Sequence, residues 1–324
     1  MATPTAILPE TGAPASNVLP ASNVLRDKAL RALGSLPPFS PVLNRLLASL
    51  ANEDVSFTKL ADLMEKDTVV SGNVLHLVNS AMYARRGTVN SVRHALSLLG
   101  VNKLRNAVLG MSISRMWNAT RTPPHWSMAD FNMHSVATAQ LADMLAQKVP
   151  VSYPEGAFVA GLLHDVGLLL IAVGLPAESA KTFEMAQNQG CSLADAEREL
   201  LGFTHADLSA DALASWNLPR PIQEAVRDHD LDLSVNHSAG NHSSGNKVIR
   251  SEAPGAPGTE LPLATLIRAA DRYIVSTGIS IQPVPASPVA DPSILASVGM
   301  SPELERSVLA EFEAEFAAMK PFFR

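Results

Sequence analysis

The sequence predicts an all-α fold, and three observations carry the prediction. Aromatic residues make up only 5% of the chain while alanine and leucine abound, a bias toward side chains that lose little entropy in a helix and away from those that suit strands. Apolar residues recur with a 3.6-residue period in one segment after another. No run shows the period-two alternation between tight turns that a sheet needs. With 324 residues and 47% hydrophobic content, the chain can fill a sizeable core.

Residues 1–25 are rich in Pro, Ala, Ser and Thr and hold a tandem repeat, Ala15-Ser16-Asn17-Val18-Leu19 and then Ala21-Ser22-Asn23-Val24-Leu25. With few large apolar residues, they read as a disordered leader, and no basic stretch followed by an apolar run marks a signal peptide. Ser40 and Pro41 open a helix with Val42, Leu43, Leu46, Leu47 and Leu50 on one stripe. Ser56 begins a second, with Leu60, Leu63 and Met64 inward, and the pattern continues over 75–78, 95–99, 104–111 and 136–145. Between these, Asn79, Ser80 and Tyr83 suit a turn, and His76 and His94 read as structural. Arg85 and Arg86 form a small basic site. Together with Asn79, they are the first candidates for a ligand or partner contact.

Farther along, Trp216 before Leu218-Pro219 is an anchor at a helix end, since Pro219 stops the helix. Residues 234–262 collect Asn, Ser, Gly and Pro and read as a mobile insertion. A Pro-rich linker then leads to a final helix within 282–324, capped by Ser301, with Pro302 in its first turn and Glu303 and Glu305 near its positive end.

Several classes of function are disfavoured. A net charge of −6 supplies no general field for a phosphate backbone, so direct nucleic-acid binding is not expected. The single cysteine, Cys191, cannot form an intramolecular disulfide and fits a reducing compartment. The most apolar stretch, 157–175, is interrupted by His164 and Asp165 and does not read as a membrane span. A cytoplasmic location follows as the expectation.

The pair His164-Asp165, inside Gly161-Leu162-Leu163-His164-Asp165-Val166-Gly167, is the sharpest chemical feature. A charged Asp in an apolar helix needs a cation, a metal or strong donors. Helix neighbours project about 100° apart, so other helices must complete any site. His134 lies upstream and Asp271 downstream, both in helical patterns, and His205 and His229 are two further imidazoles. Imidazoles with carboxylates suit Fe, Mn or Zn better than Ca. A satisfied hydrogen-bonded pair is the other reading of His164 and Asp165.

The order His134, His164-Asp165, Asp271 resembles the H…HD…D ligand signature of the HD superfamily. The upstream blocks Leu36-Pro37-Pro38-Phe39, Asp67, 77–83 and 92–100 are similar to its HDOD branch, as is the run from His205 to His229. The resemblance spans roughly residues 30–280 and places an HDOD domain at 26–281. It implies a multi-helix HD-type bundle with an N-terminal helical half, used in bacterial signalling through contacts with signalling proteins or small ligands. It also implies a possible divalent metal held by His134, His164, Asp165 and Asp271, with His205 and His229 as additional ligands. The alternative is a metal-dependent phosphohydrolase acting on a nucleotide or phosphoester. Two departures weigh against cyclic dinucleotide hydrolysis: Leu168 stands where such relatives carry Lys, and no Gly-Tyr-Pro element follows His229. A regulatory, non-enzymatic role is the leading expectation.

Overall fold

The computed structural model describes residues 21–48, 50, 61, 62, 64–79, 88–231, 260–281 and 288–323. Among these, the elements are α-helices and short 3-10 turns with no strand, as the periodicity predicts; one isolated parallel bridge pairs Val151 with Leu261.

Helix α1 (Ala21–Arg31) begins inside the expected leader, so residues 21–25 are helical. Leu25 and the fully buried Ala29 pack on the core, and Arg26 reaches Asp211 at 2.6 Å. The first copy of the repeat lies outside the described residues. In the N-terminal half, α2 (Pro41–Ala48) buries Val42, Leu43, Leu46 and Leu47. Asp67 caps α3 (Thr68–Val78) by accepting from the Val69 and Val70 amides. Ser91 caps α4 (Val92–Leu99), and Gly100, at φ 80°, makes the turn into α5 (Val101–Trp117).

Asn79 serves structure here. Its amide donates to the Val89 and Leu75 carbonyls and accepts from the Val89 amide, closing the connection from α3 toward α4. Arg85 and Arg86, the other candidate contact residues, lie outside the described residues. Replacing Asn79 with Ala leaves the Val89 amide and carbonyl without these partners. The expected loss is about 2 kcal/mol, measured by urea unfolding of the full chain.

The remainder is built around α6 (Met128–Ala146), a helix buried on nearly every side. Against it lie α7 (Ala157–Leu163), α13 (Leu263–Ser276) and the C-terminal helix α14 (Pro302–Met319). Then α8 (Val166–Gly174) carries α9 (Pro176–Gln189) and α11 (His205–Ser215), with α10 (Leu193–Leu201) and α12 (Arg220–Asp228) packed on these. The stretch Pro154–Gly174 is long and apolar enough to cross a membrane, but 94% of its most apolar 18-residue window is buried within the bundle. Its hydrophobicity is spent on the protein core.

Two expected boundaries are redrawn. The final helix is integral to the fold: Ser301 caps it as predicted, it packs on α6, and the following Phe323 is fully buried. The expected insertion at 234–262 ends earlier, because the Leu261 amide bonds the Pro150 carbonyl and the Leu261 carbonyl accepts from Ser152. Residues 232–259 lie outside the described residues. Trp216 is only half-buried, its ring tilted against Phe39 with the centroids 4.8 Å apart.

Candidate metal centre

The His164-Asp165 pair does not continue a helix. α7 stops at Leu163, and Asp165, at φ −102° and ψ 11°, is the residue from which α8 starts afresh. This break removes the 100° constraint of neighbouring helix positions and lets both side chains turn to one side. Gly167 makes the turn possible. Its amide donates to Ser209 Oγ at 2.8 Å, and a Cβ there would fall 2.0 Å from the His205 carbonyl oxygen. Only glycine allows α8 to lie so close to α11, which brings His205, the first residue of that helix, to the pair. On the other side, a Cβ at Gly161 would stand 2.7 Å from Ala139 Cα, so α7 rests directly on the helix that carries His134.

All six sequence candidates meet. His134 Nε2 lies 3.1 Å from Asp271 Oδ1 and 3.3 Å from Asp165 Oδ2. His164 Nε2 is 3.2 Å from the same Asp165 oxygen and 3.3 Å from His134 Nε2. The other Asp165 oxygen, Oδ1, faces His205 Nε2 at 3.4 Å and His229 Nε2 at 3.7 Å. Asp165 thus divides its two oxygens between two pairs of imidazoles.

Two further residues belong to the site and were not among the candidates. Asp230 Oδ2 is 2.9 Å from His205 Nε2 and its Oδ1 3.7 Å from His229 Nε2. Its signal was present, since His229-Asp230 repeats the adjacent His-Asp arrangement of 164 and 165. Glu197, fully buried on α10, accepts from both His205 Nδ1 and the His205 amide at 2.7 Å. Nothing in its local sequence separates it from a surface glutamate.

The orientation of the four rings is uniform. Each directs Nε2 inward and commits Nδ1 to an acceptor: His134 to the Ile279 carbonyl, His164 to Gly161, His229 to Val226 and His205 to Glu197. A ring that donates from Nδ1 has its Nε2 lone pair free for a cation, and such orienting acceptors are usual behind metal-ligating imidazoles. Three groups of donor atoms meet the spacing of a shared ion: His134, His164 and Asp271; His164, Asp165 and His229; and His205, His229 and Asp230. Neutral imidazoles with carboxylates form a donor set for a borderline transition cation. The residues present therefore fit a divalent metal.

The electrostatics agree. Burial disfavours charge on His134 and His164, but the charges and hydrogen bonds of Asp165 and Asp271 outweigh it and raise the rings to about 9 and about 10. His205 is raised well above the ordinary range by Glu197 and Asp230, again against burial. Burial would lift the carboxyls, yet the facing imidazoles hold Asp165 and Asp271 well below their usual values and Asp230 at about 2. The cavity concentrates negative charge that either protons or a cation must balance.

A family model described as the HDOD domain matches residues 36–231. The chain belongs to the HDOD family. Its fold is shared by an HDOD domain protein of Geobacter sulfurreducens (TM-score 0.66, 22% identity, 92% of this chain and 97% of that one). It is shared too by a candidate phosphohydrolase of Shewanella amazonensis SB2B (0.65, 22%, 92% and 98%). A candidate signal transduction protein of Marinobacter aquaeolei VT8 also matches (0.65, 20%, 95% and 67%). A protein of Treponema pallidum (strain Nichols) is 22% identical over 200 residues, which span 61% of this chain and 38% of that protein. Within this HDOD chain, Leu168 is buried among apolar side chains, so the position after the His-Asp-x-Gly turn contributes no cation to the centre.

Proposed function

We propose that this HDOD protein is a regulatory signalling module whose core holds a divalent cation, Fe, Mn or Zn, and whose loading state sets how it engages a signalling partner. The observation that carries the reading is Asp165, whose two oxygens serve two groups of inward-facing imidazoles. His134, His164, Asp165 and Asp271 would hold one ion, and His205, His229 and Asp230 offer a second set of donors. Because His134 sits on the central α6 and Asp271 on α13, an ion there ties together the helices on which the core is built. A bundle of this kind can transmit occupancy as a change in packing.

A second reading, hydrolysis of a phosphoester or nucleotide, is favoured by the exposure of Asp230 and Asp271, whose side chains are 27% and 17% accessible while the imidazoles are closed off. The opening beside these carboxylates is where a substrate would approach. A bound divalent ion supplies Lewis-acid polarisation and a water of lowered pKa. The protein's own part would be to orient the ligands through their Nδ1 acceptors.

Metal titration of chelator-treated protein tests both readings. Saturable binding of Mn or Zn with release of protons is expected near pH 7, because His134 and His164 are protonated there and must become neutral to ligate. Affinity should rise with pH up to about 9. The sign of the linked stability is opposite in the metal-free protein. Raised imidazole pKa values contribute stability in full below about 6.5, the unfolded value, and lose it as pH climbs through about 9 to about 10. Absence of metal binding would sink both readings, and phosphate release from a nucleotide panel by the loaded protein would decide for the hydrolase.

A further inference from the structure

The end of α12 delivers His229 and Asp230 to the centre, and it closes without the glycine stop that ends other helices here. Helices α9 and α10 finish on Gly190 and Gly202, both left-handed at positive φ. α12 runs instead into His229, which stays right-handed at φ −65°, with Asp230 and Leu231 rather than glycine after it. Leu231 is exposed, and its amide turns back to the Asp228 carbonyl at 3.2 Å. The last carbonyls of a helix carry its negative pole and take their donors from outside the helix.

Arg268 supplies such donors from α13. Its Nε donates to the His229 carbonyl at 2.8 Å, and its Nη2 reaches the Asp228 carbonyl at 3.4 Å. The half-buried guanidinium thus spans two successive carbonyls with its planar fork, a geometry that the single ammonium of lysine does not copy. Arg268 lies three residues before Asp271, so the two side chains leave the same side of α13. Asp271 turns to His134 at 3.1 Å and lies 3.7 Å from His164, while Arg268 grips the backbone of His229. One helix face therefore carries a ligand of the upstream donor group and the hold on the downstream one.

We infer that Arg268 is a positioning residue for the centre: it pins the His229-Asp230 backbone to the helix of Asp271 and so sets the spacing between the two donor groups. The inference rests on the metal reading for the binding it controls, although the positioning itself is a property of the metal-free chain. Held in this way, His229 Nε2 stays 3.7 Å from Asp165 Oδ1, and Asp230 Oδ2 stays 2.9 Å from His205 Nε2. Released, both residues move with the end of α12, whereas His134 keeps its place on the central α6. The effect is therefore confined to one side of the centre, which a general loss of stability would not be.

Proton–nitrogen NMR of the full chain with isotope-labelled histidine reads each ring separately and tests this. In metal-free Arg268→Met, which keeps an unbranched stem without the fork, the His229 and His205 signals should shift or split while that of His134 stays as in the parent. When zinc is added, the concentration that half-shifts His229 and His205 should rise at least about tenfold, the low end of what ligand-supporting residues contribute, with His134 responding as in the parent. Arg268→Lys serves if the first variant folds poorly: it keeps the cation and can meet one carbonyl, so the same two rings should move, by less. A parent protein whose rings ignore zinc would sink the metal reading, and the metal-free spectra would still judge Arg268. Ring signals unchanged in both variants, or a His134 signal displaced as far as that of His229, would overturn the inference.

Discussion

Replacing Asp165 with Ala is expected to abolish metal loading, lowering affinity for Mn or Zn by at least about a hundredfold. One carboxylate faces four imidazoles, so its loss removes donors from both groups at once. Ligand-supporting residues alone cost about 10–100-fold when changed, and a shared ligand should exceed that. The metal-free protein should also lose about 3–5 kcal/mol, because removing one member of a buried charge pair leaves its partners uncompensated. Asp165→Asn separates the two effects. It keeps the volume and much of the hydrogen bonding while removing the charge, so the fold should survive and metal binding should not. Proton NMR titration should then show His164 falling from about 10. A variant that keeps full metal affinity would reduce Asp165 to a structural hydrogen-bond acceptor.

Gly167→Ala should destabilise the protein by about 3 kcal/mol or more, above the usual range for added core volume. The new methyl would meet the His205 carbonyl oxygen at 2.0 Å, its carbon at 2.8 Å and the Ser209 nitrogen at 2.9 Å. All three are backbone atoms, so no rotamer change relieves the clash. If the chain folds, α8 and α11 must separate, and His205 should leave the centre with a matching loss of metal affinity. Gly72→Ala provides the control. It lies within α3 with nothing within 4 Å of the added carbon, and the helix preference for Ala predicts a gain of about 0.5–1 kcal/mol. Chemical denaturation of the two variants beside the parent protein checks both signs.

The order of ligands along the chain was legible because H…HD…D is a pattern of residue types; it led to four side chains, and these converge with the two further imidazoles His205 and His229. The helical nature of the segments was legible because burial on one face imposes a period. What could not be read was where a helix breaks. The run around 164 and 165 is apolar on both sides and so reads as one buried helix, whereas the interruption goes with α11 lying against Gly167 from about forty residues away. Glu197 escaped for the same reason: its burial comes from contact with His205, a tertiary fact with no local mark. Asn79 drew interest as an exposed polar residue in a turn, but its bonds to Val89 span ten residues of chain. The docking of α14 was hidden too, because an amphipathic helix after a Pro-rich stretch looks the same whether it packs on its own domain or projects from it.

Because Asp165 belongs to both halves of the centre, the ways in which the site can decay over generations are unequal. A substitution at His205, His229 or Asp230 strips one half and leaves His134, His164, Asp165 and Asp271 standing. A substitution at Asp165 takes a carboxylate from both pairs of rings in a single step, leaving His134, His164 and Asp271 on one side and His205, His229 and Asp230 on the other without the oxygen pair that joined them, and no other described residue faces the four rings together.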